Sequence, residues 1–192
     1  MSLIVPRLTA GSFAVRRWER ADLPLVEEAS SDPYIPLITT VPPVYSESEG
    51  EAFVRRQWTR SETAAGYPFV IVRRRDERPV GMIGLWLRDL PEGRATLGYW
   101  IAPSCRGEGA AGAALTAVSD WALGELGIPR LQLLVEPWNE ASARTAERAG
   151  FVREGLLRSW QEVGGERRDM VMYGRVAMPT GPGLGDPVTG ER

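Results

Sequence analysis

The sequence predicts a mixed α/β fold: a twisted, mostly antiparallel sheet with helices on both faces and a β-α-β unit at its centre. Three observations carry this expectation. After two short helical segments, alternating or apolar runs separated by turn residues lead to about position 101, as in a meander of strands joined by short turns. A segment of helical periodicity then joins two strand-like runs, 94–101 and 131–135, and strands connected in that way lie parallel. Two further strand-like runs close the chain as a hairpin.

Taken in order, Phe13 to Trp18 mixes apolar residues with two arginines and reads as a half-buried strand. Asp22 is placed to cap a short helix reaching about Ser30. Asp32 to Tyr45 carries Pro33, Pro36, Pro42 and Pro43 with two tyrosines, an irregular apolar loop suited to a pocket wall or a lid. Ser46 followed by Glu49 is a capping-box pattern; its helix places Phe53, Gln57 and Trp58 near one face and runs to about Ala64. Pro68 to Val72 reads as a strand and Pro79 to Arg88 as its returning partner. The basic run Arg73 to Arg78 between them reads as a solvated hairpin tip rather than a nucleic-acid patch. Pro91-Glu92-Gly93 turns the chain into the strand ending at Ile101. In the helix from Gly107 to about Leu126, the residues Ala111, Leu115, Val118, Ala122 and Leu126 form a buried stripe, and Gly127 ends it. Leu131 to Val135 is apolar but for Gln132, and reads as a strand covered on both faces. Asn139 to Ala149 forms a helix stopped by Gly150, and Val152–Trp160 with Arg167–Val176 form the closing hairpin. The Pro- and Gly-rich stretch 178–192 is expected to be a disordered tail behind a single domain spanning 1–177.

Composition narrows the chemistry. The 192 residues are 43% hydrophobic with a net charge of −2, so no overall field favours nucleic acid or an anionic membrane. All 23 basic residues are arginine; the chain has neither lysine nor histidine. Histidine catalysis, histidine metal ligation and lysine Schiff-base chemistry are therefore excluded in this chain. Cys105 is the single cysteine, which excludes an intramolecular disulfide and a cysteine-based zinc site, and no metal is expected. With no histidine to activate it, Cys105 reads as structural rather than nucleophilic. The absence of a signal peptide and of a membrane-length apolar run makes a soluble cytoplasmic protein the expectation.

The most informative segment is Gly98-Tyr-Trp-Ile-Ala-Pro-Ser-Cys-Arg-Gly-Glu-Gly-Ala-Ala-Gly112. It reads as a strand, a glycine-rich turn and a helix N-terminus, an arrangement that aims unpaired backbone N–H groups and the positive end of a helix dipole at one point, where a phosphate fits. Gly107-Glu-Gly-Ala-Ala-Gly112 also matches G-x-G-x-x-G, the fingerprint of an NAD(P)-binding oxidoreductase. Its context argues against that reading: Ala102 to Arg106 separate strand from glycine, and the motif sits behind a meander instead of in the first mononucleotide half.

Arg106-Gly-Glu-Gly-Ala-Ala111 resembles the acetyl-CoA pyrophosphate loop of the GNAT superfamily of N-acetyltransferases, (Gln/Arg)-x-x-Gly-x-(Gly/Ala). Leu97-Gly-Tyr-Trp-Ile101, Val135-Glu-Pro-Trp-Asn-Glu-Ala-Ser142, Glu147-Arg-Ala-Gly-Phe151, Glu154-Gly-Leu-Leu-Arg158 and Asp169-Met-Val-Met-Tyr173 extend the likeness toward the ribosomal-protein-alanine acetyltransferase branch. The match covers about residues 12 to 177 and is strongest from 95 to 175. The resemblance implies the GNAT fold, acetyl-CoA as co-substrate and direct transfer of acetyl to a primary amine, either a protein N-terminus or a small molecule. It implies a monomer or homodimer.

It also implies roles. Backbone N–H groups of Gly107, Glu108, Gly109, Ala110 and Ala111 hold the pyrophosphate, with Arg106 beside them. The pantetheine arm pairs with the strand edge at Ile101 and Ala102. Asn139 either contacts the coenzyme or acceptor or caps its helix, and both roles are compatible. Ser142 is placed to assist the departing thiolate or to bond within the helix's first turn. Arg148 reaches the 3′-phosphate or is solvated. Many members carry a glutamate general base where this chain has Thr96, so the base falls to Glu162 acting through water, or to no protein group. An α-amine, with a pKa of ~7.7–8.0, needs far less help than a lysine amine at ~10.4. Weak base equipment therefore favours a low-pKa acceptor. A non-catalytic acyl-CoA-binding module is the alternative reading.

Overall fold

The computed structural model describes residues 2–177; the expected tail at 178–192 lies outside them. Among the described residues, eight strands form one sheet in the order β1-β2-β3-β4-β5-β6-β8-β7. They are β1 (Leu8–Ala10), β2 (Phe13–Arg17), β3 (Gly66–Arg73), β4 (Arg78–Trp86), β5 (Arg94–Ile101), β6 (Arg130–Val135), β7 (Val152–Val163) and β8 (Glu166–Val176). Only β5 and β6 run parallel, through the helix α4 (Ala110–Gly124). The remaining helices are α1 (Leu23–Ser30), α2 (Ile35–Ile38), α3 (Glu47–Glu62) and α5 (Glu140–Arg148).

Helices cover both faces because strand residues alternate sides. On one face Phe69, Ile71, Leu97 and Leu133 pack with Leu115, Val118 and Ala122 of α4. On the other, Val70, Val72 and Trp100 pack with Leu25 and Val26 of α1 and Phe53 of α3. Each fully buried Leu or Ile in these layers contributes about 1.5–3 kcal/mol.

Three local details depart from the sequence expectation. Asp22 stands before α1, but its carboxylate does not cap that helix; it accepts two 2.9 Å bonds from Arg16 and one from the Glu19 N–H, closing the 3-10 turn ahead of α1. An arginine two strand positions from the turn outcompetes the helix end, because a charged bidentate pair is the stronger bond. The α4 stripe starts at Ala110 and Ala114, whereas Ala111 is half-buried and Leu126 is exposed, since the helix begins three residues later than expected and ends before Leu126. Along β6 burial alternates, with Leu131, Leu133 and Val135 buried and the residues between them half-covered, so one face is fully packed and the other looser. The capping box at Ser46, whose hydroxyl accepts the Glu49 N–H, and the stop at Gly127 (φ +63°) stand as expected.

Candidate active site

The glycine turn begins where β5 ends. Pro103–Cys105 forms one 3-10 turn, pinned by the buried Cys105, whose N–H donates to the Ala102 carbonyl (2.9 Å). Gly107 (φ +82°) and Gly109 (φ +84°) then take the left-handed region, which costs other residues about 1–2 kcal/mol. Neither α-carbon has an atom within 4 Å of where a Cβ would stand, so backbone angle, not room, calls for glycine. The first bond of α4 runs from the Ala113 N–H to the Gly109 carbonyl (3.1 Å). Ahead of it, the N–H groups of Gly107, Glu108, Gly109, Ala110, Ala111 and Gly112 have no acceptor among the described residues. Six consecutive donors at a helix N-terminus form an anion cradle.

Beside the cradle the sheet splits. The β5–β6 ladder runs from Arg94↔Arg130 to Leu97↔Leu133 and stops, although β5 continues to Ile101 and stays paired to β4 on its other side. The Ala102 N–H donates to the Val80 carbonyl (2.9 Å) on that β4 side. By alternation, Tyr99 and Ile101 turn their peptide groups into the gap. Ile101 therefore lies on the free edge that the sequence suggests. Ala102 does not: both its peptide groups are engaged, one by Val80 and one by Cys105, and its side chain is buried.

The far wall of the gap is the start of α5. Asn139 is its N-cap, with Oδ1 accepting the Ser142 N–H (3.1 Å). The Tyr99 hydroxyl donates to the Ser142 carbonyl (3.3 Å), tying α5 to β5 across the split. The Ser142 side chain is half-buried near this junction. Arg148, the last residue of α5, is exposed. Glu162, near the end of β7, is exposed and paired in register with Arg167. Thr96 accepts a bond from the Gln132 side chain (3.0 Å) and is not a titrating group.

Asp32, Tyr34 and Glu136, residues without a role in the sequence reading, complete the site around Arg106. Arg106 donates to the Asp32 carboxylate (2.7 Å) and through Nε to the Ile101 carbonyl (3.3 Å). Asp32 also accepts the N–H groups of Tyr34 and Ile35 (both 2.9 Å), so one buried carboxylate ties the Pro-rich segment to the glycine turn. Burial raises the Asp32 carboxyl, but those two N–H groups and Arg106 outweigh it and leave it below the usual carboxylate range. Tyr34 in turn donates to Glu136, just past β6. A charged pair spanning 74 residues has no local pattern by which sequence reading finds it. The basic hairpin tip is solvated as expected, with residues 74–78 exposed and Arg73 half-buried. Arg73 bridges Asp76 and Glu108, and Arg73, Arg74 and Arg75 line a concavity of ≈ 760 Å³ with Glu108 and Gly109.

A phosphate cradle, a split parallel pair and an adjacent basic concavity suit a long diphosphate ligand laid from the turn into the gap, and known proteins point the same way. Residues 13–152 match the family model described as acetyltransferase (GNAT) domain. The chain is 26% identical over 172 residues to the uncharacterized N-acetyltransferase p20 of Bacillus licheniformis, covering 90% of this chain and 94% of that one. It is 37% identical over 93 residues to the putative ribosomal N-acetyltransferase YdaF of Bacillus subtilis, covering 48% of this chain and 51% of that one. The fold is similar to Mycobacterium smegmatis RimJ, solved in complex with CoA-disulfide, with TM-score 0.75, 24% identity, and 90% and 87% of the two chains covered. The matched family model spans the anion cradle, the divided strands and the α5 cap together, and so the chain belongs to the GNAT family of acetyltransferases.

Proposed function

We propose that this chain transfers acetyl from acetyl-CoA directly to a primary amine, a protein N-terminal α-amine or a small-molecule amine, within a ternary complex. One observation carries the reading: the six unpartnered N–H groups of residues 107–112 open beside the unpaired edge of β5. The cradle donors fit a diphosphate, and Arg74 and Arg75 line the adjoining concavity where a further phosphate is held, with Arg148 the other candidate. Tyr99 offers its peptide groups and Ile101 its N–H, the Ile101 carbonyl being taken by Arg106, to an amide-bearing arm, as an added strand does. Acetyl-CoA supplies an activated thioester whose carbonyl the amine attacks.

The protein's own part is to orient and to stabilise charge. Asn139 and Tyr99 hold the Ser142 backbone, and the Ser142 hydroxyl donates to the departing thiolate. Such preorganised donors are worth about 10²–10³ in rate. Proton removal falls to Glu162 through water or to water alone, since Thr96 does not titrate in the working range.

The test is thiol release across a panel of amines, combined with calorimetric titration of acetyl-CoA. Turnover with at least one amine and saturable acetyl-CoA binding support the reading; binding without turnover on any amine makes the chain a coenzyme-binding module. Stabilisation by NAD and not by coenzyme A overturns it altogether. A shallow pH–rate profile that follows the acceptor's own pKa assigns the proton to water. A sharp profile abolished by Glu162→Gln assigns it to that carboxylate.

A further inference from the structure

Three carboxylates are buried among the described residues: Asp22 (1% exposed), Asp32 (7%) and Glu136 (5%). The first two are neutralised, by Arg16 and by Arg106. Glu136 is not. Its Oε2 accepts the Trp138 indole N–H (2.9 Å) and its Oε1 accepts the Tyr34 hydroxyl. Both donors are uncharged: burial, with the bond to Glu136, pushes the Tyr34 phenol far above its usual range, so it stays a protonated donor. No guanidinium lies within ion-pair reach of Glu136 among the described residues. A carboxylate offers about four acceptor sites, and two of these are taken. A desolvated charge without a countercharge is destabilising, which is why the other two carry arginines.

Its position is informative. The β5–β6 ladder stops at Leu97↔Leu133 and β6 ends at Val135, so Glu136 follows the last residue of β6, beyond the point where the two strands part. Tyr34 of the Pro-rich segment reaches it there. The Tyr34 and Trp138 rings meet edge to face at 5.0 Å, and Trp138 is 61% exposed. A carboxylate rimmed by aromatic rings attracts cations both by charge and by ring quadrupole.

We propose that Glu136 supplies the missing half of an ion pair for the acceptor, binding its amine in the ammonium form and restricting acceptors to cationic amines. Tyr34 and Trp138 position the carboxylate. This rests on the amine-acceptor reading above. It makes Glu136 a specificity residue, so its loss acts mainly on acceptor KM and not on coenzyme binding.

The experiment titrates the protein loaded with coenzyme A with three probes: Ala-Gly-Gly amide carrying a free α-ammonium, its N-acetylated form, and spermidine. Wild type is compared with Glu136→Gln, which keeps the shape, and Glu136→Asp, which keeps the charge. Steady-state thiol release and acetyl-CoA affinity are measured beside the titrations. At least one ammonium probe is expected to bind wild type and to bind Glu136→Gln 10–100-fold more weakly, a loss typical of removing one member of a desolvated charge pair. The N-acetylated peptide binds both proteins equally poorly, acceptor KM rises in step with Kd while kcat changes less than about threefold, and Glu136→Asp recovers part of the loss. Equal binding of the ammonium probe by wild type and Glu136→Gln overturns the proposal, as does failure of every ammonium probe to bind wild type. A fall in acetyl-CoA affinity in both variants makes the role structural and also overturns it. Ammonium-selective binding that depends on Glu136 without any turnover upholds this proposal and sinks the acetyl-transfer reading instead.

Discussion

Gly109 and Gly112 sit three residues apart at the start of α4, and neither has an atom within 4 Å of where a Cβ would stand. They differ in one respect: Gly109 has φ +84°, and Gly112 lies in the helix. Gly109→Ala therefore adds no clash but places an L-residue in the left-handed region, at about 1–2 kcal/mol. Part of this is offset by the reduced freedom of the unfolded chain, about 0.4–1 kcal/mol. The net loss is about 1 kcal/mol, a fall in Tm of roughly 2–4 °C for a chain of this size. Gly112→Ala gains helix propensity, up to about 1 kcal/mol, and raises Tm by a similar amount. Binding separates them as well. Relaxing the strained turn at Gly109 re-aims the N–H groups behind it, so acetyl-CoA affinity falls at least tenfold, while Gly112→Ala stays within about threefold of wild type. Differential scanning fluorimetry and calorimetry measure both quantities. If Gly109→Ala melts at or above wild type and binds acetyl-CoA normally, positive φ is not what the turn requires, and the account of the cradle fails.

Three other outcomes follow from the same geometry. Asp22→Ala strands Arg16 against a buried surface and is expected to cost about 3–5 kcal/mol, whereas Asp76→Ala, which removes an exposed partner of Arg73, costs under about 1 kcal/mol; urea unfolding distinguishes them. Because the Asp32 carboxyl is held below its unfolded value, its contribution is full above about pH 4 and disappears as pH falls through the lower folded value. The Tm gap between wild type and Asp32→Asn is accordingly open at pH 7 and narrows as the pH is taken below about 4, and a gap that persists unchanged in acid refutes the ion pair. Arg75→Ala shrinks the preference for coenzyme A over its 3′-dephospho form by about 5–10-fold, and an unchanged preference places that phosphate away from the hairpin tip.

What could be read from the chain was local. Ser46 with Glu49, Gly127 and Asn139 act where they stand because caps and stops depend on neighbours within four residues. The parallel pairing of 94–101 with 130–135 was legible because one helix of recognisable period joins them. The glycine turn was legible because Gly107, Gly109 and the following alanines are contiguous. By contrast, β1 is three residues long and carries no period, and α2 hides among prolines. The Arg106–Asp32 and Tyr34–Glu136 contacts join segments 74 and 102 residues apart, and no pattern in either segment names the other. Ala102 shows the limit from the other side: its motif matches, yet strand parity turns its peptide toward β4.

The central claim is that the peptide N–H groups of residues 107–112 hold the diphosphate of acetyl-CoA. A structure of the complex tests it most directly. The account expects diphosphate oxygens about 2.7–3.2 Å from several of these nitrogens, with the pantetheine arm along Tyr99 and Ile101. Coenzyme bound elsewhere, with this turn left without a phosphate contact, contradicts it.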